Sequence, residues 1–176
     1  MFDERNYPIK MSNVLPGRLF ESIQDELIDW RLTNQSYRDD DPIFWTQSKN
    51  YKNNNIVFRE AQTIVKYKLM KVIGRRLNSL RIHTNLATSG QKGSVFHTDD
   101  FNPGRLTFVL FANSDWNVQW GGENVVYNPH LEEYCYTTFI PNYGVCFPSE
   151  WEHYGASPLS HTDEPRVSIA FLYDIV

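Results

Sequence analysis

The chain has 176 residues, a length that suits one domain able to bury roughly 70% of its unfolded surface. Its 17 basic and 21 acidic residues give a net charge of −4, without the basic excess that nucleic acid or an anionic membrane surface requires. Two cysteines, Cys135 and Cys146, form neither a zinc-type pair nor a disulfide scaffold and are read as reduced thiols in a cytoplasmic setting. The first ten residues lack the apolar core of a secretory signal, and runs such as Ile169 to Tyr173 are too short to span a bilayer.

A first helix is expected from Pro16, which fits a helix's first turn. Leu19, Phe20, Ile23, Leu27 and Trp30 follow at helical spacing. The polar stretch 33–55 then reads as a long loop, a solvated connection in preference to an active-site lid. A stronger helix is expected over about 58–77, with Phe58, Ala61, Val65, Leu69, Val72, Ile73 and Leu77 on one face.

From Leu80 onward the pattern changes to short apolar runs broken by Gly, Pro and Asn. Strands are expected at 80–87, 94–98, 105–112, 121–127, 134–140, 144–148, 151–155 and 165–173. Eight short strands after two helices predict an α+β chain. The expected fold is a double-sheet jelly roll, a double-stranded β-helix over about 80–176, supported by helices over about 1–79.

The segment Phe96-His97-Thr98-Asp99 carries a His-x-Asp pair. In extended backbone, residues two apart point to one side, so an imidazole and a carboxylate can meet there. They would supply two-thirds of a 2-His-1-carboxylate triad, although the pair alone is common by chance. His83, His130, His153 and His161 remain as sources of a third ligand. His153 lies in a strand-like stretch, and Arg166 follows 13 positions later, which suits a strand, a turn and a returning strand. His161, itself in a His-x-Asp, sits between Pro158 and Pro165 in what reads as an exposed loop. His130 follows Asn128-Pro129 and reads as a turn residue.

On the last strand, Val167, Ile169 and Phe171 should share one face and Arg166, Ser168 and Ala170 the other. A buried guanidinium demands an anionic partner, which a dicarboxylate would supply through paired hydrogen bonds. The Gly121-Gly122 pair reads as a turn, and Trp116 and Trp120 as core or rim.

This order of elements resembles the 2-oxoglutarate- and iron(II)-dependent dioxygenases. The segment 106–111 with Trp116, Trp120-Gly121-Gly122-Glu123 and Tyr127 is similar to their prolyl-hydroxylase-like branch. The wording around His97 looks like that of members carried by cyanobacterial phages. The resemblance spans about Arg81 to Asp174. It implies that His97, Asp99 and His153 bind Fe(II), and that Arg166, assisted by Ser168, holds the distal carboxylate of 2-oxoglutarate. It also implies O₂ as co-substrate and hydroxylation of a C–H bond, with a peptidyl proline the leading substrate. A small molecule or free amino acid is the alternative. The usual co-substrate tyrosine is missing from Arg81 to Leu86, and Asn85 or His83 is expected in its place. The competing reading of another class is a metal-free jelly-roll binding protein. Nucleic-acid demethylation is disfavoured, because no second arginine follows Arg166.

Overall fold

The computed structural model describes residues 6–28, 30–33, 44–47, 49–89 and 95–176. In chain order these form β1 (Ile9–Met11), α1 (Gly17–Glu26), β2 (Arg31–Thr33), β3 (Phe44–Thr46), α2 (Lys49–Asn54) and α3 (Ile56–Ile73). They continue with β4 (Leu77–Ala87), β5 (Arg105–Phe111), β6 (Asn124–Asn128), β7 (Glu133–Thr137), β8 (Gly144–Pro148), β9 (His153–Gly155) and β10 (Arg166–Ile175). Two antiparallel sheets result. A seven-stranded sheet runs β1-β8-β5-β10-β4-β3-β2, and a three-stranded sheet runs β7-β6-β9. This is the expected jelly roll with helical support.

The helices start and stop for local reasons. The Asn55 side chain accepts from the backbone N–H of Val57 and Phe58, capping α3. Gly74 ends it in the left-handed conformation, with φ 72°. Phe58, Ala61, Val65 and Leu69 are buried against the large sheet, whereas Val72 is 60% exposed. Leu77, expected as the last residue of that helical face, instead opens β4. In α1, Leu27 and Trp30 keep helical spacing but lie beyond the helix, packing against the core from the chain that leaves it.

The front of the chain is more β-rich than the sequence suggests. Strands β1, β2 and β3 all join the large sheet, so the division into helices before residue 80 and strands after it does not hold. Within the expected loop 33–55, β3 and α2 are ordered elements, while 34–43 and 48 lie outside the described residues. The expected strand 94–98 is a single bridge, His97 opposite His153, with residue 94 outside the described residues.

Register gives the large sheet two distinct faces. Directly opposed residues in antiparallel strands share a face. One face carries Ile169 and Phe171 of β10 with Thr84 and Ile82 of β4 and Leu110 and Phe108 of β5, all buried. The Tyr173 hydroxyl on this face donates to the Gln62 carbonyl of α3, 2.8 Å away. The other face aligns Arg166 with Ala87, and Ser168 with Asn85 and Phe111. Ala170 aligns with His83 and Val109, and Leu172 with Arg81 and Thr107. This face looks across at the small sheet, and Phe139, just past the end of β7, stacks on Phe111 at 4.6 Å between centroids. Both faces of β10 are therefore buried, and the polar residues on its inner face are enclosed between the sheets.

Candidate active site

The structure brings His97, Asp99 and His153 together, with one donor atom from each lying within 4.8 Å of the others. Nε2 of His153 is 3.6 Å from Oδ2 of Asp99, and Nε2 of His97 is 4.0 Å from Oδ1. Reciprocal backbone bonds of 3.0 Å join His97 and His153, N–H to carbonyl in both directions. The chain then curls instead of continuing as a strand, and the Ser149 carbonyl accepts from the N–H groups of Asp99 and Asp100. That curl turns the Asp99 side chain back toward the two imidazoles.

The hydrogen bonds around this cluster leave the donor atoms of a metal site free. Each imidazole uses Nδ1 against a carbonyl, His97 to Val95 at 2.9 Å and His153 to Trp151 at 3.0 Å. A carbonyl can only accept, so both Nδ1 atoms carry a proton, and in the neutral imidazole this leaves the Nε2 lone pair for a metal. The Thr107 hydroxyl donates to Oδ2 of Asp99 at 2.8 Å, and the buried Ser149 hydroxyl lies 2.9 Å from that of Thr107. Burial pushes the His153 imidazole below its ordinary pKa, with Asp99 opposing. Burial also disfavours the Asp99 carboxylate, but His153, His97 and the Thr107 hydroxyl more than offset this and hold its pKa below the usual value. An ionised carboxylate beside imidazoles in their neutral form is the charge state that a divalent cation requires. The side chains of His97, Asp99 and His153 are 38%, 17% and 5% exposed, so the cluster opens toward solvent on the His97 side.

At the other end of the same interior lies Arg166, 4% exposed. Its Nε donates to the Gly122 carbonyl at 2.7 Å and one Nη to the Ser168 hydroxyl at 3.1 Å. The Phe139 ring lies 5.0 Å beneath its Cζ. Burial lowers its pKa to about 10, with Glu123 opposing, and it pairs with no carboxylate among the described residues. Two glycines make the space it occupies. A Cβ on Gly155 would stand 3.0 Å from Nη2, and one on Gly122, at φ 85°, would stand 3.2 Å from Cδ.

Across from the guanidinium, Asn124 on β6 is opposite both Gly155 and Thr137. Oδ1 of Asn124 and the Thr137 hydroxyl are buried without a hydrogen-bond partner among the described residues. Polar groups sequestered in this way are rare unless something else satisfies them. Neither residue stands out in the sequence. Only the alternation of β6 and β7 about their Tyr and Val residues could have placed them inward.

The other candidates fall as follows. His83 and Asn85 lie on the inner face of β4, where Asn85 hydrogen-bonds His83. Desolvation, then Lys52 and Arg81, push the His83 pKa down to about 3. His161 is exposed in a turn outside the cluster, and His130 sits in the turn after β6, its N–H bonded to Asn128. Asp100 binds Asn102 and Arg105. Trp116 is buried, its indole N–H donating to the Gly121 carbonyl at 3.1 Å.

No family model and no curated relative matches the sequence. Solved structures do match in fold. A Pseudomonas putida prolyl-4-hydroxylase superposes with TM-score 0.62 at 15% identity, covering 95% of this chain and 91% of that one. The epimerase SnoN of nogalamycin biosynthesis, in complex with Fe³⁺, α-ketoglutarate and nogalamycin RO, superposes with TM-score 0.71 at 14% identity, covering 95% and 78%. This chain has the 2OG-Fe(II) oxygenase fold. A Trichoplax adhaerens prolyl hydroxylase, bound to a hypoxia-inducible-factor peptide, adds a third example with TM-score 0.66 at 14% identity, covering 96% and 84%. One fold therefore carries peptide hydroxylation and small-molecule epimerisation, and the fold alone selects neither.

Proposed function

We propose that this chain is an Fe(II)- and 2-oxoglutarate-dependent dioxygenase that hydroxylates a C–H bond. The observation that carries the reading is the pairing of two sites in one interior between the sheets. A three-donor cluster whose imidazoles turn Nδ1 to carbonyls lies at one end, and a buried arginine with no carboxylate partner among the described residues lies at the other.

The residues present fit both groups. His97, Asp99 and His153 would hold Fe(II), a borderline cation suited to two imidazoles and one carboxylate. Arg166 and Ser168 would hold the distal carboxylate of 2-oxoglutarate. The unpartnered Thr137 hydroxyl supplies a further donor, in the role for which Asn85 or His83 is expected from the sequence. The iron supplies the activation of O₂, coupled to oxidative decarboxylation of 2-oxoglutarate.

The chain's own contribution is positioning and shielding. The carbonyls of Val95 and Trp151 fix the imidazole tautomers, and Thr107 fixes the carboxylate. Phe111, Phe139 and Trp116 wall the arginine end from water. A prolyl residue of a peptide is the leading substrate, and a free amino acid or other small molecule the alternative.

Anaerobic addition of Fe(II) and 2-oxoglutarate should produce the weak visible charge-transfer band of the chelate. Air should then release succinate, more with a true substrate from a panel of proline peptides and free amino acids. His97→Ala should lose both signals. Equal band and equal succinate from wild type and His97→Ala would overturn the assignment.

A further inference from the structure

A second cation on the inner face is not used by the reading above. Arg81 on β4 stands opposite Leu172 on β10, and Leu172 stands opposite Thr107 on β5. Thr107 is the residue whose hydroxyl donates to Asp99. Arg81 is thus in the row of the Asp99 cluster, two strands across the sheet, roughly 10 Å at the usual strand spacing. Arg166 lies six residues back along β10 from Leu172, at the opposite end of the interior.

Three observations mark Arg81 as a site for an anion. Its Nε is buried without a hydrogen-bond partner among the described residues. It pairs with no carboxylate among the described residues, and Asp99, on which its charge acts, is already engaged with Thr107 beside the two imidazoles. One more cation is nearby, and an imidazole that is uncharged near neutral pH lies between them. His83 lies two residues along the same face, and the buried Lys52 of α2 acts electrostatically on His83.

A 2-oxo acid does not account for this charge. Its distal carboxylate belongs with Arg166, and its other carboxylate is neutralised by the cation that it chelates. The Arg81 end therefore calls for an anionic group brought by the other reactant.

We propose that Arg81, flanked by His83 and Lys52, receives a carboxylate of the primary substrate, so that the molecule oxidised is a free acid of amino-acid size. This rests on the oxygenase reading and selects its small-molecule alternative over the prolyl peptide, since an internal peptide residue carries no free α-carboxylate. The contact positions the substrate and does not enter the chemistry.

The test uses the anaerobic protein with Fe(II) and 2-oxoglutarate, so that failure of the oxygenase reading shows first, as absence of the visible band. The common free amino acids and their carboxamides are then titrated, with heat and perturbation of the band as readouts. At least one acid should bind, and its amide roughly tenfold or more weakly, the scale of a hydrogen bond to a charged group. Arg81→Gln should erase that difference, Arg81→Lys should restore part of it, and both should bind 2-oxoglutarate like the wild type. Thermal melts of both variants establish that they fold. The proposal fails if no acid binds, if acids and amides bind alike, or if Arg81→Gln spares the acid. It also fails if the loss falls on 2-oxoglutarate affinity, which would assign Arg81 to the co-substrate.

Discussion

Gly155→Ala tests the arginine pocket by adding a single methyl group. Gly155 has no positive φ, so the backbone accepts alanine and only space decides the outcome. The new Cβ would stand 3.0 Å from Nη2 and 3.1 Å from both Cζ and Nη1 of Arg166. The guanidinium has little room to withdraw. Its Nε is held to Gly122, its Cδ is already boxed by that residue, and Phe139 lies along its face. Overpacking of this kind costs about 1–3 kcal/mol. Expressed as lost co-substrate affinity at about 1.4 kcal/mol per decade, this is roughly a 5- to 140-fold rise in the Kd of 2-oxoglutarate. The assay is anaerobic titration of 2-oxoglutarate into the Fe(II)-loaded protein, followed through the visible band. Fe(II) affinity should stay within about twofold, since the Nδ1 bonds that aim the imidazoles are untouched. A variant that binds 2-oxoglutarate as tightly as wild type would refute the assignment of Arg166 to that carboxylate.

Two other outcomes follow from the same geometry. Thr107→Val keeps shape but removes the hydroxyl that donates to Asp99, and should weaken Fe(II) binding about 10- to 100-fold in a metal titration, with secondary structure unchanged. The stability of the metal-free chain should fall on acidification, because the folded His83 has a pKa of about 3 against an unfolded value near 6.5. Between those values the unfolded chain binds a proton that the folded chain does not. This contribution is therefore whole above about pH 6.5 and is lost as pH falls through about 3. Urea melts across that range should show a shallower slope for His83→Asn, and an unchanged slope would refute the assignment.

The sequence made parts of this legible wherever local chemistry and tertiary structure agree. β8 begins and ends where Gly144 and Pro148 punctuate it, and the alternation on β10 separates Arg166 and Ser168 from Val167 and Ile169 as the fold does. Reading failed where pairing is distant. Ile9 meets Cys146 and Trp45 meets Leu86, and nothing in a three-residue run announces a partner so far along the chain. The end of α1 was hidden because Leu27 and Trp30 keep the helical period while packing from outside the helix. At the site, spacing paired His97 with Asp99 and set His153 a strand and a turn before Arg166, the family resemblance joined them into one site, and the structure gathers all four into one interior. Asn124 and Thr137 were invisible because ordinary polar residues on a strand acquire meaning only once a second sheet covers them.

The ladder rungs between His97 and His153 bear on how the ion is acquired. Two of the three donors are yoked by backbone rather than by the cation, so the geometry persists in the apo protein. Loading then freezes few additional torsions, and most of the ordering entropy is already spent when the chain folds. On the proposed function, iron would leave and return through the His97 side without unravelling the barrel, in contrast to small zinc modules that collapse once chelated.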